Sequence, residues 1–320
     1  MQFIFFITFV SDKYVCGYQM EMNYNVAGLA FGLSVPDCFP VLELIDNYKP
    51  FEQTAPEHDE LIFNCAICDT LPEDDFALYY REQSVEEGMP QIDIFRSPRG
   101  YLFEMRPHSK SERIFRLWTS EDFSKGMLLR WDLSGIGRFP LDNALMLMFA
   151  FRTASMSTLE MHASVIVKDN MGYLFLGKSG TGKSTHSRMW LDNIPGSMLL
   201  NDDNPVVRVL PDGQIRVYGT PWSGKTPCYK NLDFHVGGFV QIVQYPENLI
   251  ERQSVIDAYV SLYSSCSGMN VNSGMTDVLH ATLETVIASV PCWQLKCLPN
   301  GDAARVCFEC VKNGYDTVAE

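Results

Sequence analysis

No stretch of these 320 residues is long and apolar enough to span a bilayer. Basic side chains are also scarce. Lys and Arg number 25 against 39 Asp and Glu, a formal net charge of −14. That sign repels polyphosphate backbones and anionic headgroups, so neither nucleic acid nor membrane is an expected partner. Internal repeats and low-complexity segments are missing, which argues against a repeat architecture. The ten cysteines are scattered and form no small-scaffold framework, which suits a reducing compartment. Two pairs have CxxC spacing. Cys65 and Cys68 fall on a strand-like run, where residues three apart face opposite ways and chelate poorly. Cys307 and Cys310 fall on a helix-like run and share a face, which reads as core thiols ahead of a zinc site.

The apolar opening "MQFIFFITFV" has no positive region before it, and "SDKYVCGYQ" after it does not resemble a cleavage site. A signal peptide is the lesser reading. The preferred one is an extension over residues 1–21 that is not native, with the natural start at Met20 or Met22. A cytoplasmic location is expected.

The remaining composition, 46% hydrophobic and 20% charged, is that of a globular chain with room for two domains. From residue 22 to 138 short apolar runs alternate with turn clusters such as Ser97-Pro98-Arg99-Gly100, which predicts an antiparallel, β-rich N-terminal domain. His58, Asp59 and Glu60 lie together there and read as a solvated loop. "LDNALMLMFAFRTASMST" after Pro140 predicts a helix linking the domains. A second domain is expected over 139–313, with a frayed tail over 314–320. In it "ASVIV", "KDNMG" and "YLFLG" read as a β-hairpin, "PVVRVL" and "IRVYG" as another, and "GGFVQIVQY" and "CWQLKC" as strands. Helices are expected over "SVIDAYVSLYSSC", "TDVLHATLETVIASV" and about 302–312. The fold class is therefore α/β.

The second strand of the first hairpin runs into "GKSGTGKST", Gly177 to Thr185. Gly177, Gly182, Lys183 and Ser184 fit G-x-x-x-x-G-K-[ST], the P-loop or Walker A pattern. Glycines, with Gly180 as a third, let a backbone wrap closely around oxygen atoms, and Ser179 and Thr181 complete the turn. The helix that follows adds a field favourable to anions. Lys183 can reach β- and γ-phosphates, and the Ser184 hydroxyl can ligate Mg²⁺. ATP and Mg²⁺ are the expected cofactors. About twenty residues on, "SMLLNDDNPVV" reads as a strand ending in Asp202 and Asp203. A carboxylate there can hold Mg²⁺, and a second can accept a proton from an attacking hydroxyl. A plain Asp-Asn-Pro turn is the competing reading. The loop "GTPWSGKTP" carries Lys225, which could clamp a transferring phosphoryl group, and Trp222, which could wall the site from water. The competing reading is an exposed loop with a packed tryptophan.

"MHASVIVKDNMGYLFLGKSGTGKSTHSRMWL" followed by "LLNDDNPVV" resembles the catalytic core of the HPr kinase/phosphorylase family, and is similar to the core of ATP-dependent phosphoenolpyruvate carboxykinase. The resemblance extends over about residues 155–312 and implies a P-loop kinase domain. It implies that His162 lies close to the phosphate, with a core histidine as the alternative. It places Gly177 to Thr185 on the P-loop, and Asp202 and Asp203 on the pair that supplies base and metal functions without saying which does which. Position 185 is Thr where HPr kinases usually carry Glu. The family's glycine-rich phosphorylase signature is not found, and "YGTPWSGKTPCYKN" stands in its place.

The expected activity is Mg-ATP-dependent phosphorylation of a hydroxyl, with an acceptor other than HPr and no phosphate-driven reversal. The acceptor is a protein, a peptide or a small molecule. A nucleotide-binding regulator with vestigial catalysis is the alternative, against which the intact "GKST" and "DD" argue. No LSGGQ-type signature or arginine finger supports an ATPase motor. Relatives of such a core often assemble, which leaves a homo-oligomer open.

Overall fold

The computed structural model describes residues 19–54, 60–81, 90–224, 226–268 and 273–312. His58, Asp59 and Lys225 lie outside the described residues. Eight strands make the first sheet: β1 (Gln19–Val26), β2 (Leu29–Pro36), β3 (Phe63–Cys68), β4 (Ala77–Arg81), β5 (Gln91–Ser97), β6 (Gly100–Arg106), β7 (Phe115–Ser120) and β8 (Lys125–Leu129). Their order is β1-β2-β3-β8-β7-β6-β5-β4. Ala27 and Gly28 turn β1 into β2 with φ of 55° and 77°, the left-handed pair that a two-residue hairpin requires. The sheet is not wholly antiparallel as the turn-punctuated pattern suggests, because β3 runs parallel to both β2 and β8. Parallel pairing joins strands distant in sequence, and local turn signals do not report it. β1 also begins at Gln19, ahead of the expected boundary at residue 22.

Helix α1 (Phe139–Thr153) starts with Pro140 in its first turn, where a missing N–H costs nothing. Its buried Leu141, Leu145, Met148 and Phe149 join Phe31, Phe63, Tyr101 and Phe103 in the first core. The sequence pattern carries this helix on to Thr158, but it stops at Thr153. A short 3-10 turn over Ala154–Met156 and a left-handed Ser157 (φ 51°) follow. Thr158–Glu160 are instead strand β9.

The second sheet comprises β9, β10 (Ala163–Lys168), β11 (Met171–Leu176), β12 (Met198–Asp203), β13 (Val206–Val209), β14 (Ile215–Tyr218), β15 (Asp233–Gln244), β16 (Leu249–Arg252) and β17 (Cys292–Cys297). Its order is β12-β10-β11-β15-β14-β13-β9, with β17 joining β15 to β16. Four helices flank it: α2 (Lys183–Asn193), α3 (Val255–Tyr263), α4 (Ser273–Ser289) and α5 (Gly301–Val311). Strand alternation sorts them onto two faces. Tyr173 and Phe175 of β11 meet Trp190 of α2 and Ala303, Ala304 and Cys307 of α5. Leu174 and Leu176 point the other way, into the cluster that holds Leu262 of α3 and Leu283 and Val286 of α4. Ser254 and Asn300 cap α3 and α5 by accepting from the N–H groups of Asp257 and Ala303. Among the described residues no helix is long and apolar enough to cross a membrane.

The two sheets are locked together. Val206 and Trp222, from the second half of the chain, sit in the first core. Arg208 Nη1 donates to the Ala27 carbonyl across 2.5 Å. The segment carrying Trp222 leaves β14 through Gly219, where an added Cβ would lie 2.1 Å from the Lys230 carbonyl oxygen. Gly219→Ala is therefore expected to destabilise the fold by about 1–3 kcal/mol through overpacking against backbone. Urea denaturation checks this, and an unchanged midpoint would show that the segment moves freely.

Candidate functional site

Three adjacent strands assemble the site. β10 lies between β11 and β12 and is antiparallel to both, with Ala163 opposite Leu176 on one side and Asp203 on the other. The start of β10 and the ends of β11 and β12 therefore meet at one edge of the sheet. His162, Gly177 and the Asp202–Asp203 pair are brought together there from three places in the sequence. β15 runs parallel to β11 and ends at the same edge, where Gln244 Nε2 donates to the Gly180 carbonyl at 3.3 Å.

The glycine-rich turn falls between β11 and α2, in the strand–turn–helix order expected of it. Gly177 has φ 143°, and a Cβ there would meet Thr181 Oγ1 at 2.7 Å. Gly182 has φ 107°, and its added Cβ would meet nothing within 4 Å, so backbone conformation is what requires glycine. Thr181 Oγ1 donates to the Lys178 carbonyl at 2.8 Å and closes the turn. Ser179, Gly180, Ser184 and Thr185 are exposed. Gly182 gives α2 no side-chain cap, and the first turn contains no acid. The N–H groups opening α2 thus have no carboxylate competing with an incoming anion.

Lys183 is only 8% exposed. Its Nζ donates to the Gly177 carbonyl at 2.7 Å, the Lys178 carbonyl at 3.3 Å and His162 Nε2 at 2.9 Å. Among the described residues no carboxylate forms an ion pair with it. Burial lowers its pKa, and the nearby Asp203 and Asp202 charges work against that. An ammonium has no acceptor, so with Lys183 charged His162 Nε2 accepts from it. On the other side of the ring His162 Nδ1 lies 3.0 Å from Asp203 Oδ1. The result is a hydrogen-bonded row from Lys183 through His162 to Asp203.

Asp202 is 5% exposed, and its Oδ1 is buried without a hydrogen-bond partner among the described residues. The pair is held in place by Asn201, a fully buried residue the motif reading passed over. Its Oδ1 accepts from the Asp203 and Asn204 N–H groups, both at 3.0 Å. Its Nδ2 donates to Thr220 Oγ1 at 3.0 Å. Ser223 pairs with Asp203 in an isolated antiparallel bridge, and the Gly224 N–H donates to the Asp202 carbonyl at 3.1 Å. Trp222 does not wall the glycine-rich turn. Its ring stacks on Phe31 and tilts against Phe149 in the first core.

Glu160 was also missed. It lies two residues before His162 and is 1% exposed. Burial pushes its carboxyl up to about 7, the Ser267 side chain opposes this, and the Asp203 charge adds to it. The available signal was a lone acid in the apolar run from Thr158 to Val167. Among the described residues no group of three or more His, Cys, Asp or Glu side chains forms a metal cluster. A metal here would need ligands from a bound molecule and water as well as protein oxygens. That is how Mg²⁺ is commonly held, with one or two carboxylates and substrate phosphates. The orphaned Asp202 Oδ1 and the exposed Ser184 fit that role.

No protein-family model and no curated protein matches the sequence. Among solved structures, the Hpr(Ser) kinase/phosphatase from Coxiella burnetii matches at 14% identity and a TM-score of 0.30, over 50% of this chain and 99% of that one. This is a distant structural relation only.

The raised Glu160 carboxyl sets a pH dependence. Between its ordinary value, 4.5, and about 7 the folded chain binds a proton that the unfolded chain does not, so its contribution to stability falls as pH rises through that window. Glu160→Gln is expected to melt several degrees above the parent at pH 8, with the gap closing near pH 5. Melting curves of equal separation at both pH values would contradict this.

Proposed function

We propose that the chain is a Mg²⁺-ATP-dependent kinase that transfers the γ-phosphoryl group to a hydroxyl acceptor. The observation that carries the reading is Lys183. Among the described residues Lys183 bonds two carbonyls and the His162 ring and touches no carboxylate, the Asp203 and Asp202 charges acting on it from beyond hydrogen-bond contact, and a buried cation without a contact ion pair is costly. It sits at an uncapped helix N-terminus, beneath glycines that allow close approach. A polyphosphate supplies the missing charge, and Lys183 with the amides of the 177–185 turn would bind it.

Asp202, Asp203 and Ser184 would hold Mg²⁺ together with phosphate oxygens. Bound there, the metal offsets charge on the β- and γ-phosphates. Asp202 and Asp203 divide two tasks, orienting the metal and accepting the hydroxyl proton of the acceptor. His162 holds Asp203 in orientation through Nδ1–H and stands beside Lys183. Phosphoryl transfer asks mainly for positioning and charge stabilisation, and this set meets both needs. Lys225 remains a second candidate clamp for the transferring group on sequence grounds.

The acceptor is a hydroxyl outside HPr. Thr185 stands in place of a glutamate, and the chain carries the segment "YGTPWSGKTPCYKN" where a phosphorylase signature would be. With a net charge of −14, a docking acceptor is neutral or basic near its hydroxyl. Two assays test the reading. Titration with labelled ATP is expected to show Lys183→Ala losing about tenfold or more in affinity with the fold intact, because charge-assisted hydrogen bonds to phosphate are lost. Asp202→Asn and Asp203→Asn are expected to cut labelling of acceptors in cell extract by about 10²–10⁴, with a smaller effect on ATP binding. Equal ATP affinities would refute the phosphate site. Efficient labelling of purified HPr that added phosphate reverses would refute the acceptor assignment.

A further inference from the structure

The Asp202–Asp203 pair is tied to the first core by a short, fully traceable set of bonds. The segment Thr220–Gly224 touches the acid pair on one side. Asn201 Nδ2 donates to Thr220 Oγ1, Thr220 Oγ1 donates to the Asn204 carbonyl at 2.7 Å, and the Trp222 N–H donates to Thr220 Oγ1 at 3.2 Å. Ser223 and Gly224 then bridge to Asp203 and Asp202. The fit is close. A Cβ on Gly224 would lie 2.9 Å from the Asp202 carbonyl oxygen and 3.1 Å from Asp203 Cβ and Cγ.

On its other side the same segment is gripped by residues far away in sequence. Trp222 Nε1 donates to Tyr48 Oη at 3.0 Å. Tyr48 Oη donates in turn to Asp142 Oδ1 of α1 at 2.9 Å. Asn47 Nδ2 is shared between Asp142 Oδ1 at 3.1 Å and the Pro221 carbonyl at 3.0 Å. Asn47 and Tyr48 are fully buried, and Trp222 is 3% exposed. Arg138 Nε pairs with Asp142 Oδ2 at 3.2 Å and fixes that carboxylate from the far side. Asn47 Oδ1 finds no partner among the described residues, but the donors Asn47 Nδ2, Tyr48 Oη and Trp222 Nε1 are all satisfied, and a shift of the segment would orphan them in a low dielectric.

We propose that Trp222, anchored by Tyr48 and Asp142, is a positioning residue for the Asp202–Asp203 pair, so that the N-terminal core supports the metal–nucleotide site. The inference rests on the phosphotransfer reading above. It gives the N-terminal half a role that needs no ligand of its own. The indole sits in the first core, and the backbone on either side of it reaches the strand end that carries the acids. Its N–H sets how far Ser223 and Gly224 stand from them.

Two conservative variants separate positioning from packing. Trp222→Phe keeps an aromatic ring and loses the N–H. Tyr48→Phe keeps its ring and loses the hydroxyl that joins Trp222 to Asp142. The probe is Mn²⁺ with ATP, followed by the electron paramagnetic resonance of free Mn²⁺, alongside ATP binding in the presence of chelator. Both variants are expected to bind Mn²⁺·ATP about fivefold to tenfold more weakly, the scale of one lost buried hydrogen bond, while metal-free ATP binding stays within about twofold of the parent. A role in packing alone would not divide the two affinities. Should Trp222→Phe fail to fold, Tyr48→Phe carries the test by itself. Equal loss of both affinities, or Mn²⁺·ATP affinity unchanged in a folded variant, overturns the positioning role. Failure of the parent protein to bind ATP more tightly with Mn²⁺ overturns the phosphotransfer reading first, and this inference with it.

Discussion

One buried ammonium governs the arrangement of this molecule. Lys183 opens α2 with its side chain folded back over the turn that precedes it, and its partners among the described residues are two backbone carbonyls and the His162 ring. Holding a cation in that position requires carbonyls aimed at it, which the conformations of Gly177 and Lys178 provide. It also requires a histidine in one tautomer, and Asp203 fixes that tautomer. The aspartate in turn needs its strand end held, which Asn201 and the 220–224 segment do. Each layer follows from the one inside it.

The sheet topology makes this economical. A hairpin flanked by a further antiparallel strand brings two strand ends and one strand start to the same edge. Two parallel strand ends and the following helix N-terminus are a recurrent place for anion sites in α/β folds. The price is that the acids sit at the end of β12, with one face turned to the other sheet. The 220–224 segment covers the acids there, and its Trp222 ring lies in the first core. Glu160, buried beside the same acids, adds a carboxyl whose ionisation is costly near neutral pH.

Much of this was legible in the sequence, for identifiable reasons. The strand–turn–helix order around Gly177–Gly182 was readable because glycine spacing and the change from two-residue to helical periodicity are local signals. The hairpins β10–β11 and β13–β14 were readable from their polar turns. The parallel pairing of β3 was hidden, because nothing local marks which distant strand a run will join. Strand β9 was hidden because it is three residues long and follows a helix without a glycine or proline between them. The roles of Asn201 and Asn47 were hidden because a buried amide acts through partners far away in sequence. Trp222 was legible as important but not as to where its ring would go. A loop rich in Gly and Pro leaves the direction of one large side chain to tertiary packing.

The exchange of partners proposed for Lys183 is open to direct observation through the ring it touches. Selective ¹⁵N labelling of histidine, with His162 assigned by comparison with His162→Gln, reports both ring nitrogens. Without nucleotide the account predicts a neutral His162 with the proton on Nδ1 and Nε2 accepting from Lys183. On saturation with ATP and Mg²⁺ it predicts a shift at Nε2 as the ammonium transfers to phosphate oxygen, with the Nδ1–H bond to Asp203 retained. His162 ring signals that stay unchanged up to saturating nucleotide, or a ring protonated on Nε2 from the outset, would contradict it.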